Sequence, residues 1–257
     1  MFALPSGLSR QTMVAITMLA CSLNVQGAVR YRFESKTISG WTRNSRGTVV
    51  LDGSRSRVNI DLAPDEVLTH DVEIHDGTRR LGVDRIRKSW FEIKPADLRW
   101  TMFTIPMGER HKVSKLVVKL DEQESEKASP LRRHTLRFSY TLVGNIQGVT
   151  VKASVVTVAK FVTDNSRSVE RLPMDPRDLG TGLAQVDQAV GRELRVVSGF
   201  PIEANVVITR QIEGGQPFAE IRYMKISDIE EVAANPTLFE VPKGYENREP
   251  EIGSPGS

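Results

Sequence analysis

The densest group of side chains capable of chemistry lies in the run from Thr69 to Asp76, which contains two histidines and three acidic residues. Asp71, Glu73 and His75 occupy alternate positions, so on a β-strand they share one face. Carboxylate and imidazole groups ligate transition metals, but a site here would need further ligands from another strand. The same alternation is typical of the solvated face of a half-buried strand. We favour that interpretation and predict no metal site.

The rest of the chain offers few groups for catalysis. Only four histidines are present, and two of them, His111 and His134, stand among charged residues, which predicts surface positions. The sequence has no nucleophile elbow, phosphate-binding loop or paired zinc motif. We therefore predict no catalytic residues, no cofactor and a protein that is not an enzyme, with an uncharacterised enzyme as the open alternative.

The N-terminus has the pattern of an export signal. Residues 1–12 carry one charge, Arg10, and the uncharged run from Met13 to Leu23 follows. Eleven residues are too few to span a bilayer but match the apolar region of a secretory signal. Small residues at Val25 and Gly27 favour cleavage after Gly27. The sequence thus predicts a signal peptide over residues 1–27 and an exported, periplasmic protein.

Cys21, the only cysteine, allows a second form of processing. The run from Met18 to Cys21 is similar to a bacterial lipobox, in which the cysteine is lipidated and becomes the mature N-terminus. Such boxes usually have leucine where Met18 stands, and only six residues would separate the lipid from Ala28. We favour cleavage after Gly27, which leaves a mature chain without cysteine and hence without a disulfide.

Charge argues against a nucleic-acid partner. Removing residues 1–27 takes away only Arg10, so 34 basic residues (35 less one) face 32 acidic ones. The basic residues are scattered among the acidic ones, whereas a nucleic-acid surface would cluster them. No later segment is apolar enough to predict a transmembrane helix.

A two-residue period dominates the mature chain and predicts a mostly antiparallel sheet. Val29, Tyr31 and Phe33 alternate with charged residues, as on a half-buried strand. The pairs Asp52-Gly53 and Asp76-Gly77 separate alternating segments, which is a strong hairpin signal. The sheet resumes in later segments up to Ile226.

One segment has a helical period. Leu179, Leu183, Val186, Val190 and Leu194 recur at three- and four-residue steps, which predicts a helix with one apolar face. A second, short helix is predicted over Pro95 to Met102. The end of the chain, residues 249–257, has the composition of a disordered tail.

Two segments near the C-terminus carry distinctive motifs: a Gly-Phe-Pro turn within Val197 to Ile202, and Leu-Phe-x-x-Pro-x-Gly-Tyr within Asn235 to Tyr245. Both resemble elements of an exported bacterial family of unknown function related to the LolA-like outer-membrane lipoprotein carriers. The stretch from Asp84 to Ile93 is similar to its Asp-x-x-x-Lys-x-Tyr-x-x-Ile motif, with Trp90 in place of tyrosine. The turn from Gly144 to Gly148 also matches.

The resemblance implies a mostly β (α+β) domain over residues 28–248, a half-barrel in which a curved antiparallel sheet wraps one or two helices. It also implies an apolar concavity that binds a hydrophobic ligand, an acyl chain, lipid or lipoprotein. Five aromatic residues would face that concavity and contact the ligand: Tyr31, Phe33, Trp90, Phe138 and Tyr140. Ordinary core packing is the alternative role for them. An envelope sensor or adaptor that acts by protein contact is the alternative function.

Overall fold

A computed structural model describes residues 27–39, 42–62, 70–93, 112–123, 129–146, 148–167, 172–173 and 175–248. Residues 1–26 of the predicted signal peptide, the short helix predicted over Pro95 to Met102, and the tail over residues 249–257 lie outside these ranges. The predicted division of the chain at residues 27 and 248 stays a prediction.

The described residues form one open, curved sheet with one α-helix and one short 3-10 helix. The helix α1 is Ala184–Leu194 and the 3-10 helix is Pro236–Phe239. The strands are β1 (Ala28–Ile38), β2 (Thr42–Asp52), β3 (Arg55–Leu62), β4 (Val72–His75), β5 (Arg80–Asp84), β6 (Ser89–Glu92), β7 (Lys112–Gln123), β8 (Leu131–Ile146), β9 (Val149–Asp164), β10 (Phe200–Ile212), β11 (Phe218–Val232) and β12 (Glu246–Asn247). The mostly β class predicted from the sequence is confirmed.

The strand order is β12-β6-β5-β4-β3-β2-β1-β11-β10-β9-β8-β7. Neighbours are antiparallel except β12 and β6, which are parallel. The first strand therefore lies in the middle of the sheet, between β2 and β11. Gly53 (φ 59°) and Gly77 (φ 105°) turn the two predicted hairpins with the positive φ that favours glycine.

Bulges bend the sheet. The β7–β8 register shifts between Ser114 and Val117, where Lys115 has a φ of 53°. The β1–β11 register shifts between Arg30 and Arg32, opposite Asp228 with a φ of 51°. A bulge adds a residue to one strand and increases its local bend and twist. These irregularities explain how such a wide sheet curves around its core instead of lying flat.

Three apolar clusters pack on the sheet: the first two lie on its inner face, and the third lies on the opposite face, to which Val50 points between the inward Val49 and Leu51. The first lies under α1 and joins residues of β8, β9 and β10, the second joins β1, β2, β3 and β11 with Leu172 and Phe200, and the third joins β4 and β5 with the C-terminal element. In the third cluster, Phe239 is buried and the Arg57 guanidinium donates a hydrogen bond to the Leu238 carbonyl oxygen at 3.1 Å. The C-terminal element, residues 235–245, is thus docked on the sheet.

The observed helix α1 is shorter than the apolar stripe from which a helix is predicted. All five stripe residues pack on the first cluster, but the helix begins at Ala184 rather than Leu179. Gly182 has a φ of 74°, which interrupts helical backbone. The Asp187 carboxylate accepts hydrogen bonds from the backbone and hydroxyl of Thr181, both 2.7 Å, so a polar turn precedes the helix. Across the described ranges, no helix has the length and apolar character needed to traverse a bilayer.

Candidate functional site

A cavity of about 400 Å³ lies between the inner face of the sheet and the segment 172–179 that precedes α1. Its apolar wall comes from the central strands and from that segment, in the residues Leu51, Leu172, Leu179, Ala204, Val206 and Met224. Its polar wall includes Arg55, Glu73, His75, Arg80, Asp175, Asp178 and Arg222. The lining of the cavity therefore combines apolar and charged side chains, which suits an amphipathic molecule.

The segment 172–179 is held in place as one wall. The Tyr31 hydroxyl donates a hydrogen bond to the Pro173 carbonyl oxygen at 2.8 Å, and the Tyr31 ring meets Phe200 edge to face with centroids 5.8 Å apart. Burial, with a smaller contribution from Asp175, raises the pKa of the Tyr31 hydroxyl, so it stays a donor. Arg177 binds the Asp175 carboxylate and also donates to the Val197 carbonyl oxygen at 3.2 Å.

The pairing of β10 with β11 determines which apolar side chains form the floor of the cavity, on the inner face of the sheet. Ala204 lies opposite Met224 and Val206 opposite Arg222, so these side chains share the inner face of β10 and β11. Ala204 and Val206 are buried. The short Ala204 side chain leaves room above the sheet, and this is where the cavity lies.

The short strands β4 and β5 contribute charged residues to the lining of the cavity. Glu73 accepts a bidentate pair of hydrogen bonds from Arg80, and Asp71 accepts from the side chain of Arg85. The His75 Nδ1 lies 3.0 Å from the Ser54 carbonyl oxygen. The two carboxylates that the sequence singles out are therefore engaged by arginines. Within the described ranges, no three acidic, histidine or cysteine side chains converge as a metal site would require.

An ion-pair triad lies on the inner face beside the cavity. Glu220, only 5% exposed, accepts from Arg210 at 3.1 Å and from Arg222. Burial lowers the pKa of Arg222, and the Glu220 carboxylate opposes that effect. Arg222 also lines the cavity. This triad is not among the residues predicted from the sequence, although its positions share the inward alternation of Ile208 and Ile226.

The five predicted ligand-contact aromatics are split among the three clusters, and none lines the cavity. Tyr31 and Phe33 belong to the second cluster, Phe138 and Tyr140 to the first, and Trp90 packs on the third. Phe138 and Tyr140 stack with centroids 6.4 Å apart. Their contact with a ligand stays a prediction. Burial raises the pKa of Tyr140 to about 12, and its buried hydroxyl has no hydrogen-bond partner in the described part of the chain.

The surface position predicted for His134 is wrong. His134 is 5% exposed, and its Nε2 lies 3.4 Å from the Thr163 hydroxyl. Burial lowers its pKa. His134 continues the inward alternation of Leu136 and Phe138, so the strand period, rather than the charged neighbours, decides its position. His111 lies outside the described residues.

No protein-family model and no curated protein matches the chain. Among solved structures, an uncharacterised conserved protein of Thermus thermophilus is similar at 9% identity and a TM-score of 0.35, over 92% of this chain and 98% of that one. A LolA superfamily protein of Nitrosomonas europaea is similar at 10% identity and a TM-score of 0.31, over 84% and 91%. An outer-membrane lipoprotein-sorting protein domain of Vibrio parahaemolyticus is similar at 10% identity and a TM-score of 0.27, over 85% and 91%. Two of these three proteins carry the names of the group that the sequence motifs resemble. The ligand class proposed below is argued from this chain's own residues.

Proposed function

We propose that the chain binds an amphipathic hydrophobic ligand, an acyl chain or a lipid, in the cavity between the segment 172–179 and the inner face of β10 and β11. The observation that carries this proposal is the cavity itself, about 400 Å³ with apolar and charged walls. Small-molecule sites in proteins have volumes of roughly 300 to 1,000 Å³, apolar linings and a few placed polar groups. The LolA-like motifs of the sequence favour the same ligand class.

The volume and lining of the cavity restrict the kind of ligand that can bind with micromolar affinity. Burial of an acyl chain contributes about 0.8 kcal/mol per methylene, so a chain of about eight carbons supplies about 6 kcal/mol before the cost of association. Micromolar affinity needs about 8 kcal/mol net. The charged residues of the lining, which include Arg222 and Arg80, therefore have to contribute contacts to a polar head group. A purely apolar ligand would bind weakly.

We propose binding without catalysis. Glu73 is held by Arg80 and Asp175 by Arg177, at hydrogen-bonding distances of 2.5 to 3.2 Å. Both carboxylates are thus engaged in ion pairs with arginines of the chain itself rather than directed at a ligand. The proposed role takes place after export, with residues 1–27 removed as a signal peptide and without a lipid on Cys21. The ligand's source is then the cell envelope.

A fluorescent fatty acid tests the binding proposal. Met224 lies half-buried on the apolar wall, so Met224→Asp would place a charge against the acyl chain. Ile221→Asp is the matched control, since Ile221 lies on the same strand with 41% exposure on the opposite face. We expect Met224→Asp to weaken binding at least tenfold and Ile221→Asp to leave it unchanged, with circular dichroism reporting the fold of both.

Two results would overturn the proposal. One is a wild-type chain that binds no fatty acid or phospholipid probe. The other is equal affinity in the Met224 and Ile221 variants, which would place the probe outside the cavity. In either case the envelope adaptor, which acts through protein contact, becomes the preferred function.

A further inference from the structure

The outer face of the sheet carries an apolar band. Ile38 on β1 lies opposite Ile221 on β11, and Ile221 lies opposite Val207 on β10. In the adjacent row, Val156 on β9 and Val117 on β7 both lie opposite Ser139 on β8. The five apolar side chains are 37% to 62% exposed. We call this set, Ile38, Ile221, Val207, Val156 and Val117, the outer band.

The outer band departs from the pattern of a sheet with one wet face. Such sheets alternate apolar residues toward the core with polar residues toward solvent. Here the core is on the inner face, where Val206 and Ile208 are buried, and the outward Val207 between them is exposed. The outer band crosses six neighbouring strands, which corresponds to about 24 Å at the usual strand spacing. An exposed apolar band of this length on a protein surface indicates a contact surface.

Basic side chains flank the outer band. Lys36 and Lys160 lie one row away on β1 and β9, and Lys119 lies opposite Arg137 at the β7–β8 end. All four are exposed. Asp121, which binds Lys119 at 2.8 Å and also Arg137, is the carboxylate among them. The next row outward has mixed charge, with Lys225 opposite both Glu34 and Glu203, and marks the limit of the basic flank.

We propose that the outer band and its basic flank dock the protein on an anionic lipid bilayer. Exposed apolar side chains enter the headgroup region while lysines and arginines attract anionic lipids. Charge complementarity favours this occupant over a second copy of the chain, because a two-fold contact would bring the basic flanks of both copies together. The valines and isoleucines of the outer band also lack the Trp, Tyr and Arg anchors that dominate protein interfaces.

Sedimentation with vesicles tests the proposal, using the full mature chain. One set of vesicles is phosphatidylcholine alone and the other contains one third phosphatidylglycerol. We expect binding to the anionic vesicles only, weakened by added salt. Val207→Thr with Ile221→Thr removes apolar surface but keeps β-branched side chains. Lys36→Gln with Lys160→Gln removes two charges, each worth roughly fivefold in affinity. We expect each double variant to bind at least tenfold more weakly.

The control is Ile86→Thr with Lys243→Gln, which changes the same residue types at exposed positions away from the outer band. We expect it to bind like the wild type. Met224→Asp, on the cavity wall, should also keep vesicle binding, which separates docking from ligand capture. Equal binding by all variants, or no vesicle binding by the wild type, would overturn the proposal. So would a wild-type dimer that Val207→Thr with Ile221→Thr dissociates, since a second copy would then cover the outer band.

Discussion

The Tyr31 hydroxyl donates its hydrogen bond to the Pro173 carbonyl oxygen at 2.8 Å, which ties the central strand β1 to the cavity wall 142 positions later in the chain. Tyr31 is fully buried. The contact therefore joins core stability to the shape of the proposed ligand site. Tyr31, whose contact with a ligand stays a prediction, thus holds in place one wall of the cavity.

Tyr31→Phe should lower the free energy of unfolding by about 1 kcal/mol, because the carbonyl oxygen of the half-buried Pro173 loses its donor. Urea denaturation measures this change. Tyr140→Phe is the matched control: Tyr140 is also buried, but its hydroxyl has no partner among the described residues. Removal of that hydroxyl should be neutral or stabilising. An equal loss in both variants would show that the Tyr31–Pro173 bond contributes nothing specific.

Phe239→Ala should lower the free energy of unfolding by roughly 3 to 5 kcal/mol, the range for emptying a buried aromatic site. Phe239 is 2% exposed, and the Arg55 guanidinium lies 5.0 Å from its ring centroid. Phe218→Ala, at a site with 44% exposure, should change stability by less than about 1 kcal/mol. An unchanged denaturation midpoint for Phe239→Ala would mean that the C-terminal element is not docked.

Two glycines should respond to alanine with opposite signs. A Cβ on Gly47 would meet the Asn59 carbonyl oxygen at 1.9 Å and Phe33 Cε1 at 2.9 Å, so Gly47→Ala should destabilise by roughly 1 to 3 kcal/mol. A Cβ on Gly191, in α1, would meet nothing within 4 Å, so Gly191→Ala should stabilise by up to about 1 kcal/mol. The change in melting temperature of each variant checks the sign. A Gly47→Ala variant as stable as the wild type would contradict the close contact between the backbones of β2 and β3 at Gly47 and Asn59.

Acid should destabilise the fold through His134. Burial lowers the pKa of His134 in the folded chain, whereas the unfolded chain takes up the proton near pH 6.5. The contribution of the neutral histidine is therefore present above about pH 6.5 and is lost as pH falls from there toward the folded pKa. His134→Gln should flatten the slope of stability between about pH 7 and pH 5. Burial lowers the pKa of His70 as well, so part of the slope should remain.

The alternation of the sequence predicted most of the sheet because each strand must bury one face. The pairing of Val118 with Phe138 and of Leu120 with Leu136 follows from it. The same period, followed through charged residues, would have placed His134 on the inner face. The charged neighbours of His134 were misleading, because the two-residue alternation of a strand decides which face a side chain occupies, whatever the polarity of the adjacent positions.

The position of the cavity could not be predicted from the sequence. The described residues of its wall that precede Leu179 have neither a helical nor a strand period, and their placement depends on long-range contacts such as Tyr31 with Pro173. The aromatics chosen as ligand contacts share the inward face of the strands with the cavity floor. Alternation along the strands identifies the inward face. Which inward residues line a cavity depends on the side chains and segments that pack over them.

Native mass spectrometry of the chain purified from an exporting bacterial host tests the central claim most directly. We expect one bound molecule of acyl-chain or lipid mass per chain, lost in Met224→Asp on the cavity wall and retained in Ile86→Asp, at a 92% exposed position outside both the cavity and the outer band. A wild-type spectrum with the polypeptide mass alone, even after incubation with fatty acid and phospholipid, would contradict it.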